Sequence, residues 1–381
     1  IIVYMSITLS YRSADRETRL CRLAFSMLRG VNPVTGAAIL QRVHSECDFF
    51  NAPERQLQII METKSPLFDR EYRDKLLSAA ENEAVYNDTH SIREYYFTDD
   101  DYPHLLRQCC DAPMMLYGIG ECDFNNRHVV SIVGTRHATA YGIAFVNRLV
   151  EELADKVGNV VIVSGLAYGI DIAAHRAAMS AGLPTIGVVA HGLNTIYPSS
   201  HRNDAVKMVK SGGMLLSEYT HDAAIHKGNF LARNRIVAGI AECVIVVESA
   251  SKGGALTTAR IASEYSRDVF ALPGRTSDLY SQGCNSLIAR DVARLVTNAD
   301  DVIDAMGWER QAVDGTQKSL FPELNADESL IVEYLREHGD ARLNNISVDT
   351  GITMPRLMPL MVNLEFKGVV MNFPGGSYRL S

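Results

Sequence analysis

Between Val129 and Ile303 the hydrophobic positions fall in short, unbroken runs: VVSIV, VVIVS, TIGVVA, MLLSE, CVIVVE and VFALP. A Gly-rich turn and a stretch of helical period follow each run. Strands apolar on both faces and joined by helices predict a mostly parallel sheet covered on both sides, the doubly wound α/β arrangement. From Arg12 to about Asn87 the period is helical, as at Leu20, Leu23 and Met27, and no strand pattern appears. The turn Gly30-Val31-Asn32-Pro33-Val34-Thr35-Gly36 divides this small domain into two amphipathic stretches, a helix-hairpin-helix or related bundle. Packing and DNA contact are equal alternatives for it. Near the end, Leu357, Leu360, Met361 and Leu364 give one apolar helix face. VVMNFPGGSYRL then alternates and turns at Pro374-Gly375-Gly376, which predicts a hairpin and, with the preceding helices, a winged helix. The expected division is a helical domain over 1–90, an α/β domain over 91–306, a linker over 307–326 carrying the only tryptophan (Trp308), and a winged helix over 327–381. There are no long repeats and no low-complexity tract.

A chain of 381 residues has room for two or three domains. Its 47% hydrophobic and 22% charged residues exclude a disordered or fibrous class. Lys plus Arg number 37 and Asp plus Glu 45, a net charge of -8, so any nucleic-acid site must be a local patch. The seven cysteines are odd in number, scattered and without a C-x-x-C pair, which predicts reduced thiols in a cytoplasmic protein. No apolar run approaches the roughly 18 residues that span a bilayer. IIVYMSITLS lacks a basic n-region and reads as no signal peptide, with Met5 a candidate start. The eleven histidines are dispersed and form no metal-ligand set, so neither a metal nor a cofactor is expected.

Four turns carry candidate chemistry. In Ser131-Ile132-Val133-Gly134-Thr135-Arg136 glycine permits close approach of a ligand, the following helix offers unpaired N–H groups, and Arg136 can grip a phosphate. A tight turn with Arg136 in solvent is the plainer alternative. The G-x-G-x-x-G dinucleotide fingerprint is absent. Ser164-Gly165-Leu166-Ala167-Tyr168-Gly169-Ile170-Asp171 is a second strand-to-helix turn, in which Asp171 can cap the helix and His175, a possible base, reads more simply as a helix-face residue. His226-Lys227-Gly228-Asn229-Phe230-Leu231-Ala232-Arg233-Asn234-Arg235 joins cations to an aromatic ring, the chemistry of single-strand binding. Arg233 and Arg235 lie about 200° apart on a helix, so one of them is expected to be structural. The fourth turn, Glu248-Ser249-Ala250-Ser251-Lys252-Gly253-Gly254, suits a phosphate nest but lacks the Walker spacing. All four belong at the carboxyl ends of the strands, on one groove.

These motifs resemble the DNA-processing protein A family (DprA, or Smf), the recombination mediators of bacterial transformation. The resemblance lies in Asp101-Tyr102-Pro103, IVGTR (132–136), SGLAYGID (164–171), AHGLNTIYP (190–198), LLSE (215–218), FLARNRIVAG (230–239), GGALTTA (253–259) and ALPG (271–274). It covers more than half of the chain, and the two ends resemble those of longer members. It implies an extended Rossmann-like domain, a SAM-like helical start, single-stranded DNA as ligand, RecA recombinase as partner, and a homodimer through the Rossmann-like domain, with no enzyme activity. Carried over residue by residue, Arg136 resembles the phosphate-gripping arginine, and Lys227 and Phe230 the pocket lysine and stacking ring. Gly134, Thr135, Ser164, Gly165, Arg233, Asn234, Gly253 and Gly254 complete the expected contacts. Thr135 and Gly254 stand where the family usually has Ser, and only Thr135 keeps the hydroxyl. The alternative is a nucleotide phosphoribohydrolase of similar fold, with Glu218 and Glu248 as acid or base. That family needs a P-G-G-x-G-T loop, where this chain has Lys252-Gly253-Gly254-Ala255 and Pro273-Gly274-Arg275. From Asn325 on, five cations face seven anions, which predicts a protein-contacting tail rather than a DNA reader.

Overall fold

The computed structural model of the chain describes residues 16–311 and 324–380, apart from 368 and 374–376. The described residues fall into two compact units, one up to Gln311 and one beyond it. The first unit begins with α1 (16–26), α2 (Pro33–Val43), α3 (Glu46–Asn51), α4 (Glu54–Ile60) and α5 (Arg70–Thr89). There follow β1 (Arg93–Tyr96), α6 (His104–Arg107), β2 (Met115–Gly120), β3 (His128–Gly134), α7 (Ala140–Lys156), β4 (Val160–Ser164), α8 (Ile170–Ser180) and β5 (Thr185–Val188). It closes with α9 (Arg202–Lys210), β6 (Met214–Ser217), α10 (Lys227–Gly239), β7 (Cys243–Val247), α11 (Gly254–Glu264), β8 (Asp268–Ala271), α12 (Gln282–Ala289), β9 (Arg294–Leu295) and α13 (Ala299–Met306).

The nine strands form one sheet in the order β1-β2-β6-β5-β4-β3-β7-β8-β9. Pairs from β6 across to β9 are parallel, while β2 pairs antiparallel with both β1 and β6. The six strands expected from the sequence are all present. β1, β2 and β9 were not expected, because they are edge strands or strands near an edge, two of them short and β2 carrying two glycines. Along β3 successive side chains point to opposite faces. Val129 and Val133 join one apolar layer with Ile236 and Val237 of α10 and Ala259 of α11. Val130 and Ile132 join the other, with Leu149 and Leu153 of α7 and Val302 of α13. Burying each such side chain stabilises the fold by roughly 1.5–3 kcal/mol.

The helical segment packs on this sheet rather than standing apart, since Phe25, Phe49 and Leu57 share one core with Leu116 and Val163. Asn32 and Thr35 form a capping box that starts α2. A methyl group on Gly36 would lie 2.8 Å from Met114 Cε, which shows how closely α2 approaches. Arg73, fully buried, donates from Nη1 to the carbonyls of Phe49, Phe50 and Ala52 and so closes the carboxyl end of α3. One expectation is corrected here: Cys21 on α1 and Cys47 on α3 form a disulfide, with Cα atoms 5.3 Å apart. The helices fold back to bring together residues 26 apart in sequence, which cysteine spacing alone does not reveal. The other five cysteines are free. Trp308, placed in the expected linker, is buried, stacks on His128 at 4.5 Å and donates from Nε1 to Glu242. Residues 312–323 of that linker, the opening IIVYMSITLS and the Pro374-Gly375-Gly376 turn lie outside the described residues.

The second unit comprises α14 (Ala326–His338), β10 (Ala341–Arg342), α15 (Leu343–Thr350), α16 (Met354–Phe366), β11 (Val370–Phe373) and β12 (Ser377–Leu380). β12 pairs antiparallel with β10 on one side and β11 on the other. Leu357, Met361 and Leu364 are buried against Ile331, Leu335 and Ile346, as the periodicity predicts. Among the described residues no helix is long and apolar enough to cross a membrane.

His175 lies wholly inside the first unit. Its Nδ1 donates to Thr185 Oγ1 at 2.7 Å, because that hydroxyl gives its own proton to the Ile162 carbonyl. Burial, with Arg233 nearby, pushes its pKa from 6.5 down to about 3. A neutral, sealed imidazole is no base for a surface reaction. The unfolded chain takes up this proton below 6.5 and the native chain does not, so stability is lost progressively as pH falls from 6.5 towards 3. Calorimetric melting of His175→Gln should show a shallower acid limb than the parent; parallel curves would contradict this.

Candidate nucleic-acid interface

β3 lies between β4 and β7, so the chain winds away from it in both directions and leaves a crevice at the carboxyl edge. Three turns meet there. Thr135 donates its N–H to the Glu248 carbonyl at 2.7 Å and accepts the Ile170 N–H at 3.1 Å, which ties the turn after β3 to those after β7 and β4. Such approach requires glycine. A methyl group at Gly134 would lie 2.0 Å from the Val247 oxygen, and one at Gly169, whose φ is +78°, 2.1 Å from the Thr135 oxygen. Glu248 holds a left-handed φ of +58°. Its carboxylate fixes it there by accepting from Thr139 N at 2.9 Å and from the Thr139 hydroxyl.

The result is a groove of about 280 Å³. Gly134, Thr135, Arg136, Gly165, Phe230, Arg233, Asn234, Gly253 and Gly254 all line it, from four separate stretches of sequence. Ser164 does not: it is fully buried, and its hydroxyl donates to the Ile132 carbonyl at 2.6 Å. Lys227 begins α10, is exposed, and stands one helical turn before Phe230, outside the lining. Arg233 contributes structure, being 5% exposed and donating from Nη1 to the carbonyls of Gly165, at 2.6 Å, and Val188. Arg235 is ion-paired with Glu218. Both arginines of the R-N-R segment are therefore held by the protein.

Asp171, the only carboxylate in the lining, does not cap α8. It accepts from Gly165 N at 3.2 Å and Ala167 N at 3.4 Å, shaping the loop before the helix. Burial raises its pKa, opposed by Arg233. Arg136, Lys227 and Lys252 are exposed and make no ion pair with the described residues, leaving three cations available at the groove and its rim. Of the expected backbone donors, the N–H groups of Thr135, Gly165 and Gly253 are already bonded within the protein. Those of Gly254 and Ala255, in the first turn of α11, are open, and no side chain caps this helix. The starts of α7 and α10 are closed by Glu248 with Thr139 and by the His226 ring. The positive end of α11 is thus an accessible place for an anion. Glu218 and Glu248 are both engaged, and neither lines the groove.

Sequence reasoning missed an aromatic neighbour of the site's ring. Tyr197, 49% exposed, packs edge-on against Phe230 with ring centroids 5.4 Å apart. An exposed aromatic within AHGLNTIYP was its signal. The groove thus offers an aromatic edge, a guanidinium, two free helix N–H groups and little negative charge.

Residues 94–307 match the family model of DNA recombination-mediator protein A. The chain is 34% identical over 283 residues to Protein Smf of Escherichia coli strain K12, covering 73% of this chain and 75% of that protein. It is similar to the X-ray structure of DNA processing protein A from Streptococcus pneumoniae, with a TM-score of 0.62 and 30% identity, covering 76% of this chain and 97% of the other. A structure of DNA processing protein A from Helicobacter pylori, described for its single-stranded DNA binding mode, aligns with a TM-score of 0.50 and 31% identity over 56% of this chain and 95% of the other.

The glycine requirement is testable. Gly169→Ala should lose roughly 2–4 kcal/mol of stability in urea titration, from the left-handed φ and the clash with Thr135 together. A loss below about 0.5 kcal/mol, within the range of ordinary surface changes, would show that the turns are not locked to each other.

Proposed function

The chain belongs to the DNA recombination-mediator protein A family, and on that premise we propose that its groove binds single-stranded DNA and that the protein loads RecA recombinase onto the strand during natural transformation. The supporting observation is the convergence of Arg136, Phe230 and the open start of α11 on one surface. Arg136 grips a phosphate with its guanidinium fork. A second phosphate accepts from Gly254 and Ala255 N–H, and Lys227 and Lys252 attract the backbone from the rim. Phe230, steadied by Tyr197, stacks on a base. Gly134, Thr135, Gly165 and Gly253 keep the floor close to the strand, Asn234 presents its amide, and Ser164 and Arg233 act from behind by holding the turns in place.

Such contacts read charge and ring faces and not base edges, so affinity depends on salt and hardly on sequence. We extend the reading to a homodimer through the α/β domain and to an N-terminal segment that packs rather than reads DNA. The C-terminal unit, read as a winged helix, serves protein contact. Arg356, Lys367 and Arg379, three of the five cations among its described residues, are paired with Asp327, Glu328 and Asp340, which leaves little charge for phosphate.

Two kinds of variant test the site by fluorescence anisotropy on a labelled 20-nucleotide strand and its duplex. Arg136→Ala or Lys227→Ala should weaken single-strand binding about tenfold, the effect of losing one charged hydrogen bond. Gly254→Ala adds a methyl group where nothing lies within 4 Å, so the melting temperature should not fall while affinity drops several-fold. Parent-like binding by all three variants would rule the groove out.

A further inference from the structure

We propose that the cleft between His137 and Tyr280 is a second base-binding site, which takes a nucleotide of the same strand a few residues beyond the one stacked on Phe230. This inference rests on the single-strand reading of the groove. A separate cavity of about 870 Å³ opens at the carboxyl edge of the sheet, with Thr139, Tyr141, Glu248, Arg275 and Tyr280 in its wall. It shares its boundaries with the groove. The turn from Gly134 to Thr139 passes from one to the other, as does the step from Glu248 to Ser249. Ser249 donates its N–H to the Tyr280 carbonyl and accepts the Gly283 N–H at 2.8 Å, so the backbone carrying Tyr280 is fixed to the groove's own wall.

The rings supply the chemistry. His137 and Tyr280 are nearly parallel, 24° apart, but their centroids lie 6.2 Å from each other. Parallel rings stacked face to face stand closer, as when Tyr86 stacks on His90 at 3.9 Å and on His221 at 4.0 Å. A base sandwiched between two rings needs two stacking intervals of about 3.4 Å each, which a small rotation of the exposed His137 ring provides. The cavity wall around Tyr280 suits a base better than a phosphate. Arg275 offers donors, Ser277 and Ser281 hydroxyls, and Asp278 an acceptor whose charge repels an anion. Across the cavity the Tyr141 hydroxyl donates to the Pro273 carbonyl at 2.8 Å and holds the far side in place. Arg136 and Thr139 are three residues apart, roughly 10 Å at most. A stacked strand rises about 3.4 Å per nucleotide, so about three nucleotides cover the turn that joins the two pockets.

Calorimetric titration of the full chain with thymidylate strands of 2 and 12 nucleotides tests this, the shorter one being too short to cover the turn between the pockets. The dinucleotide should bind the parent, His137→Ala and Tyr280→Ala alike. The 12-mer should bind both variants about tenfold more weakly than the parent, the effect of one lost stacking contact. His137→Tyr, which keeps a ring, should restore the parent value. His137 is exposed, so its variants carry the test should Tyr280→Ala fold poorly. Unchanged 12-mer affinity in a folded variant, or equal weakening for both lengths, overturns the second site while the groove stands. If neither strand binds the parent, the single-strand reading falls and this inference with it.

Discussion

Thr135 donates to Glu248 and accepts from Ile170, and these two backbone bonds turn three loops into one surface. Each loop leaves the sheet at the carboxyl end of a different strand, and without the lock each is free to move as surface loops do. The lock in turn demands Gly134 and Gly169, because the backbones pass closer than any Cβ allows. It also demands that Glu248 hold an unfavourable conformation, which two hydrogen bonds from Thr139 secure. The shape of the groove follows from satisfying backbone groups, and its chemistry is added on top of that shape.

Buried and exposed charges divide the work. Arg233 and Asp171 lie in the groove wall yet face inward, engaged with Gly165, Val188 and Ala167. An unpaired charge at such depth would be strongly destabilising, and their partners keep the turns at fixed spacing. Arg136, Lys227 and Lys252 are outside and unpaired among the described residues, the condition in which cations attract a polyanion. A chain of net charge -8 can therefore present a cationic trough, provided its acidic groups are committed elsewhere.

The sheet was legible because its central strands are apolar on both faces and their turns are rich in glycine. β1 and β2 were not, since short strands near an edge carry no such run. Most of the groove was legible for the same reason, as each turn announces a strand's carboxyl end. Which polar groups point outward was not. Helix spacing marks one of Arg233 and Arg235 as structural but not that both are, because the burial of Arg233 arises from the close approach of Gly165. Ser164 reads like a groove residue beside Gly165 yet faces the core, and the Cys21–Cys47 bond depends on a helix reversal that spacing does not encode.

The central claim is that a single strand lies along this locked edge with a base against Phe230. Irradiating the full chain with a strand carrying 5-iodouracil, and mapping the adducts by mass spectrometry, tests it most directly. The account predicts adducts at Phe230 and Tyr197. Adducts confined to residues 16–89 or 326–380 would contradict it.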